Sequence, residues 1–202
     1  MTVLADSPPA GFADDRHQSA RPSPPPHDQL RHVAQFAGSA PVVLCAVLAT
    51  PPLTSGVRTR RQVELVAELL GCDVVMIANL CDAASQDLRG MRAVAAEAAP
   101  WMRARSSLQE ALAASTMVLA GWGVAKPSGL AAQHQRQQLA WLSTAIEGAG
   151  HSTAWCVGGQ PRHPSRWHQY VSDRHGRTHG GSSAERLREV LVAVPVRDVT
   201  RA

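Results

Sequence analysis

The chain has 202 residues, of which 45% are hydrophobic and only 4% aromatic, so it is long enough for one ordinary domain and too short for two large ones. No apolar run approaches the roughly 20 residues of a membrane span, and the N-terminus lacks the basic-then-apolar order of a signal peptide, so we expect a cytoplasmic protein with no membrane partner. Four cysteines without a CxxC pair indicate neither a disulfide framework nor a zinc ribbon, and a net charge of +4 is only a weak sign of an anionic partner.

The first part of the chain differs in composition from the rest. Residues 1–38 contain the proline clusters Pro8-Pro9 and Pro24-Pro25-Pro26 and few large apolar side chains. Such a segment buries too little apolar surface to offset the entropy that ordering costs. We therefore predict a disordered proline-rich tail at residues 1–38, followed by a single α/β domain at residues 39–202.

Four short apolar runs in this domain are predicted to be β-strands. They are apolar throughout rather than alternating, which is typical of parallel strands covered on both faces. Segments of helical periodicity follow each run, and this order predicts a three-layer α/β/α sandwich around a four-stranded, mainly parallel sheet. The four runs are residues 42–49, 73–78, 116–120 and 153–157.

Local signals mark the ends of the predicted helices. Between the second and third strands, Pro100 separates two helical pieces, and Ser107 with Glu110 three residues later has the pattern of a capping box at the start of the second piece. The last helix is predicted to begin at Ser182 and to stop at Pro195.

The loops that follow the four strands carry the unusual residues of the chain. Each contains glycine, proline or an isolated polar group beside an apolar strand, whereas the opposite strand ends look like plain connections. In open parallel sheets, ligands bind at the carboxyl ends of the strands. We therefore predict a functional rim there, although the glycines and prolines of any one of these loops could serve only to form a turn. The loops are residues 50–56, 79–82, 121–123 and 158–165.

His163 is the strongest single candidate on this rim. The prolines at positions 161 and 164 restrict its backbone and so direct its imidazole. A fixed, neutral imidazole can donate a hydrogen bond to an oxygen that gains negative charge in a transition state. The alternative interpretation is a histidine that only caps a turn.

Other polar residues on the rim fit a nucleotide. Asn79 follows the second strand directly, and its amide offers a donor and an acceptor side by side, which matches the edge of a pyrimidine. A structural Asx turn is the alternative for Asn79. Ser165 and Arg166 could hold a phosphate through a hydroxyl, backbone amides and a guanidinium, or could be a solvated surface pair.

The histidines near the C-terminus are a weaker candidate for a metal site. His163, His168, His175 and His179 lie within reach of Cys156 in sequence, but their spacing fits no standard ligand pattern and no carboxylate pair accompanies them. We therefore predict no metal ligands and no cofactor.

With these residues in view, the chain from residue 42 to residue 178 resembles a bacterial and phage family of unknown function, numbered sixteen forty-three. The matching residues are Asn79-Leu80-Cys81, Trp122-Gly123 and Gly159-Gln160-Pro161-Arg162-His163-Pro164. The chain departs from the family at Thr50-Pro51-Pro52, where an Asn-Pro-Ser turn is expected.

The same order of motifs is similar to that of the uracil-DNA glycosylase superfamily, a parallel four-stranded α/β/α fold. Leu119-Ala120-Gly121-Trp122-Gly123 and His163-Pro164-Ser165 match two motifs of that superfamily, while Asn79 matches its base-reading residue and Thr50-Pro51 its water-activating loop. The resemblance implies that Thr50 and His163 are catalytic. It implies that the substrate is bound by Asn79, Pro51, Trp122, Gly123, Arg162, Ser165 and Arg166.

We therefore expect a nucleobase-recognising, glycosylase-like domain whose partner is a nucleic acid or a nucleotide. N-glycosidic hydrolysis depends on position 50, because a Thr hydroxyl can position water but supplies no carboxylate. The alternative is a non-catalytic nucleotide- or nucleic-acid-binding module on the same rim, and a metal-dependent hydrolase is a third, weaker alternative. The oligomeric state and the base stay open.

Overall fold

A computed structural model describes residues 40–85, 87–172 and 180–201. The predicted tail lies outside these ranges, as do His175 and His179, so the expectations for them remain predictions. The described residues form an α/β fold around a five-stranded mixed sheet. None of the helices in the described ranges is long and apolar enough to cross a membrane.

The elements follow the predicted alternation of strand and helix, with additions near the C-terminus. The strands are β1 (Val43–Leu48), β2 (Val74–Asn79), β3 (Met117–Ala120), β4 (Thr153–Val157) and β5 (Leu191–Pro195). The helices are α1 (Val57–Leu70), α2 (Leu88–Val94), α3 (Ala99–Ala113), α4 (Leu130–Gly148), α5 (His168–Val171), α6 (Ser183–Val190) and α7 (Val196–Thr200), and a 3₁₀ turn covers Pro164–Arg166.

The strand order in the sheet is β2-β1-β3-β4-β5. The first four strands are parallel, and β5 pairs antiparallel with β4. Since β2 lies on one side of β1 and β3 on the other, the winding direction of the chain reverses between β1 and β3. Open α/β sheets bind their ligands at such a switch point, beyond the carboxyl ends of the strands.

The prediction of four strands is wrong by one strand at the edge of the sheet. The last helix does begin after Ser182 with the expected capping box to Glu185, but it ends at Val190 instead of continuing to Pro195. The next five residues, Leu191–Pro195, form the antiparallel strand β5. The free edge of β4 offers these residues a complete ladder of hydrogen bonds, and tertiary pairing here overrides helical periodicity.

The sheet is covered on both faces, which explains why its strands are apolar throughout. Cys45 and Val47 of β1 pack in one buried cluster with residues of α2, α3, α4 and α7. Leu44 and Ala46, which point to the other face, pack in a second cluster with residues of α1, α5 and α6. Alternate residues of a strand face opposite sides of a sheet, so a strand between two such clusters has no solvent-facing position.

The predicted helix start at Ser107 is also wrong. Helix α3 begins at Ala99 with Pro100 in its first turn and runs through Ser107 without a break. The Ser107 hydroxyl donates to the carbonyl of Ala104 one turn earlier, a bond that lets serine sit inside a helix. The two predicted helical pieces are present as α2 and α3, and Pro100 lies in the first turn of α3, where a proline lacks only a donor that would be unpaired there.

Two buried polar side chains connect loops to helices. Gln138 on α4 is fully buried, and its amide donates to the carbonyl of Leu80 after β2 while accepting from Arg105 on α3. Arg186 on α6 is 7% exposed and donates to the carbonyls of Val171, Gly180 and Gly181. Buried polar groups with partners fix the course of the chain around them.

Candidate functional site

A cleft of about 920 Å³ lies at the switch point, beyond the carboxyl ends of the parallel strands. The loops after β1, β3 and β4 line it, together with the first residues of α1 and α2. Seven of the nine site residues predicted from the sequence are on its surface. They are Thr50, Trp122, Gly123, Arg162, His163, Ser165 and Arg166.

Asn79 and Pro51 do not line the cleft. Asn79 ends β2 and pairs in register with Leu48, which does line the cleft, so Asn79 lies one strand behind the wall. Its side-chain oxygen is buried and has no hydrogen-bond partner among the described residues. Pro51 contributes through its backbone, because its carbonyl accepts from the amide of Ser85 and so joins the loops after β1 and β2.

A pair of hydroxyls lies in the cleft between these two loops. The oxygens of Thr50 and Ser85 are 3.0 Å apart, and the Ser85 hydroxyl also lies 3.4 Å from the carbonyl of Asp87, to which it can donate. If Ser85 donates to Asp87, Thr50 donates to Ser85, and the lone pairs of the Thr50 oxygen are left to accept from a ligand or a water. Sequence reasoning missed Ser85 because nothing marks a serine in a small-residue loop as different from its neighbours.

His163 is held in one tautomer by the 3₁₀ turn that follows it. Its Nδ1 accepts from the backbone N–H of Ser165 at 3.3 Å and lies 2.9 Å from the Ser165 hydroxyl. Because Nδ1 accepts, the proton of the neutral ring is on Nε2. Burial of the imidazole, and then the charge of Arg166, lower the pKa of His163 below its ordinary value. His163 therefore caps a turn and also offers an uncharged N–H donor at the cleft.

Close packing brings the loops after β3 and β4 together around His163. The amide of Gly123, whose φ is +95°, donates to the carbonyl of Pro161. At Gly121 an added Cβ would lie 2.9 Å from Leu48 Cδ2, closer than real Cβ contacts, and in ordinary contact at 3.5 Å from Pro164 Cδ, so glycine lets the loop after β3 pack tightly against Leu48 of β1. Trp122 between the two glycines is 4% exposed and forms part of the cleft wall.

The charged residues of the cleft are mostly positive. Four arginines line it against a single carboxylate, that of Asp87, which accepts from the amide of Gly90 at the start of α2. Within the described ranges none of the four arginines forms an ion pair with a carboxylate. Unpaired guanidinium groups around a concave surface attract anions. The arginines are Arg58, Arg89, Arg162 and Arg166, of which the sequence analysis named only the last two.

Large apolar side chains stand exposed at the mouth of the cleft. Leu53, Val57 and Val124 are 65%, 47% and 43% exposed, and all three line the cleft. They come from the loop after β1, the start of α1 and the loop after β3. The cleft therefore combines exposed apolar surface with the positive charge of the arginines, a combination that marks a site for a ligand or a partner.

The part of the chain that the structure describes has no group of three or more His, Cys, Asp or Glu side chains arranged to hold a metal ion. His163 and His168 are both described, but His168 Nδ1 lies 2.9 Å from the carbonyl of Ser165 and outside the cleft. The donors that converge in the cleft are hydroxyls, guanidiniums and one imidazole. Such donors bind an oxygen-rich anion.

A protein-family model matches residues 54–165, which is more than half of the chain, and its description is "Protein of unknown function (DUF1643)". The match includes the motifs at Asn79, Trp122 and His163, and it begins after Thr50. The resemblance to the family numbered sixteen forty-three is thereby confirmed. No curated protein and no solved structure matches the chain, so the similarity to the glycosylase superfamily stays a prediction.

Proposed function

Since this chain belongs to the family of unknown function DUF1643, we propose its function from the chemistry of its own cleft: the recognition of a nucleotide of a nucleic acid, in the manner of a glycosylase-like domain. The observation that carries the proposal is the excess of four arginines over one carboxylate in a cleft that also holds a neutral imidazole donor. The motif order that resembles uracil-DNA glycosylases supports the same conclusion.

The phosphate of the nucleotide is assigned to the residues that follow β4. Ser165 and Arg166 are exposed, and Arg162 is adjacent to them on the same wall. A guanidinium binds two phosphate oxygens through parallel N–H donors, and a hydroxyl adds a third contact. A nucleotide bound there would have its sugar and base in the interior of the cleft, beside Trp122 and His163.

The base is assigned to the hydrogen-bonding groups that reach the cleft. These are Nε2–H of His163 and the paired hydroxyls of Thr50 and Ser85. Asn79, which the glycosylase resemblance names as the base reader, is behind the wall, so we give it no direct contact with the base in this arrangement.

The chemistry that this arrangement favours is hydrolysis of the N-glycosidic bond. The bond between C1′ of the sugar and the base nitrogen breaks, and its electron pair leaves with the base. Nε2–H of His163 donates a hydrogen bond to the base oxygen that gains this charge. Because the imidazole is neutral rather than cationic, it keeps this proton in the ground state. A water held by Thr50 supplies the oxygen that bonds to C1′, and its proton passes to solvent. Without a carboxylate beside Thr50 this reaction is expected to be slow.

A binding module without catalysis is the second candidate. The observation that favours it is the position of Asp87, the one carboxylate on the cleft, whose oxygen accepts from the Gly90 amide. This hydrogen bond engages one carboxylate oxygen at the start of α2, and among the described residues the Thr50 hydroxyl is paired with Ser85 and not with this carboxylate. In that case the arginines and His163 would bind the nucleotide without cleaving it.

The two candidates are separated by an assay of base release. Single-stranded DNA that contains one uracil is incubated with the protein, and free uracil is measured together with DNA binding in low and high salt. Release that His163→Ala abolishes and His134→Ala leaves unchanged supports the glycosylase, since His134 on α4 is outside the cleft. Thr50→Asp should then increase the rate. Salt-sensitive binding without release supports the module, and no binding in low salt refutes both.

A further inference from the structure

The two walls of the cleft stand on opposite faces of the sheet. Helix α1 packs in the buried cluster that contains Leu44 and Ala46, whereas Met91 of α2 packs in the cluster on the other face. The two helices therefore belong to the layers that cover opposite faces of the sheet. Both helices send residues into the same cleft, so it spans the thickness of the sheet.

Positive charge is present on both walls. Arg58 of α1 and the arginines that follow β4 are on the first wall, and Arg89 of α2 is on the second. Arg162 cannot reach across, because its guanidinium stacks 4.2 Å from the ring of Tyr170 on its own wall. A single phosphate held by Arg162 and Arg166 therefore leaves Arg89 without a ligand group.

The apolar side chains lie between these two charged walls. Leu53 and Val124 are in the loops after β1 and β3, the strands at the centre of the parallel sheet, and both are exposed at the mouth of the cleft. An unstacked base next to the bound nucleotide would cover them. In a duplex the base faces are already covered by their neighbours, whereas a single strand can place them on protein surfaces.

We propose that the cleft takes a single strand of at least three nucleotides, with phosphates on both walls and Arg89 as the contact on the second wall. This inference rests on the proposed function and adds the length and form of the ligand. Residues on opposite layers bind different phosphates, and the exposed apolar side chains contact the bases between them.

The experiment measures affinity against ligand length and salt. The probes are thymidine monophosphate, the oligonucleotides (dT)3 and (dT)6, and a six-base-pair duplex, each titrated at several salt concentrations. The wild-type protein should bind (dT)3 at least ten times more tightly than the monophosphate and bind (dT)6 little better than (dT)3. Arg89→Gln should reduce the magnitude of the log–log salt slope for (dT)3 by about 0.7, the value for one phosphate of a single strand, and weaken the binding of (dT)3 more than that of the monophosphate.

Arg92→Gln is the matched control, because Arg92 is exposed on the same helix but does not line the cleft, and this variant should leave the slope unchanged. Arg89→Lys should restore the slope, which shows that loss of charge rather than of folding caused the effect. Equal affinity for the monophosphate and for (dT)3 would overturn the inference and leave the proposed function standing. Binding of the duplex as tightly as the single strand would also overturn it. Failure of all probes to bind would refute the proposed function itself.

Discussion

Substitution of Gly121 by alanine tests the close contact on which the site is built. The new methyl carbon would lie 2.9 Å from Cδ2 of Leu48, 3.5 Å from Cδ of Pro164 and 3.6 Å from the carbonyl oxygen of Val47. Leu48 is 3% exposed, so its side chain has little room to move away. Inserting a methyl group into a packed core costs about 1–3 kcal/mol.

The loss should be measured as a change in the free energy of unfolding, from urea titrations followed by tryptophan fluorescence. For a chain of this size the same cost lowers Tm by about 2–12 °C. Gly148→Ala is the matched control, since nothing lies within 4 Å of its Cβ position at the end of α4. That change should leave stability equal or raise it by up to about 1 kcal/mol. Equal stabilities of the Gly121→Ala variant and the wild type would refute the tight packing of Gly121 against Leu48.

Three further predictions concern titration, reactivity and stability. Burial is the first cause of the lowered pKa of His163, and the charge of Arg166 is the second, so in an NMR titration Arg166→Gln should raise that pKa towards 6.5 without reaching it. Because the folded state disfavours the protonated imidazole, the free energy of unfolding should also decrease as the pH falls through and below 6.5. Burial raises the pKa values of the Cys45 and Cys156 thiols to about 12. These thiols should react with a thiol reagent at pH 8 only when urea unfolds the protein, and rapid labelling of the native protein would contradict their burial. Arg186→Met should lower the free energy of unfolding by about 1–3 kcal/mol, because it leaves the buried carbonyl of Val171 without this donor, and an unchanged free energy would show that this carbonyl finds another partner.

The sequence was sufficient to predict the four parallel strands, because apolar runs bounded by turn residues are characteristic of strands covered on both faces. It also predicted that the loops after β1, β3 and β4 meet, since strands that run in parallel have their carboxyl ends at one edge of the sheet. The family relationship followed from the residues around Trp122 and His163. These signals are local in the sequence, and the parallel order of the strands is enough to place the loops that carry them at one edge of the sheet.

The parts that failed depend on contacts between distant residues. Val192 and Val194 fit a helix and a strand equally well by pattern, and only the free edge of β4 decides between the two. Arg58, Arg89 and Ser85 have no distinctive neighbours, and their place in the cleft follows from how α1, α2 and the loop after β2 pack. The position of Asn79 at a strand end predicts the edge of the sheet and not whether its side chain reaches the cleft, so its role in substrate binding stays a prediction.

The stacking of Arg162 on Tyr170 determines what this arginine can recognise. The aromatic ring already covers one flat face of the guanidinium, and its Nε is buried without a hydrogen-bond partner in the described ranges. Gly158 lies beside this arrangement with φ of +62°, a backbone conformation that favours glycine. The terminal nitrogens keep their in-plane donors, which match a pair of oxygens on one ligand atom. Under the proposed function, this stacking makes Arg162 a rigid fork for an oxyanion, and a flexible lysine at this position would keep the charge and lose the selectivity.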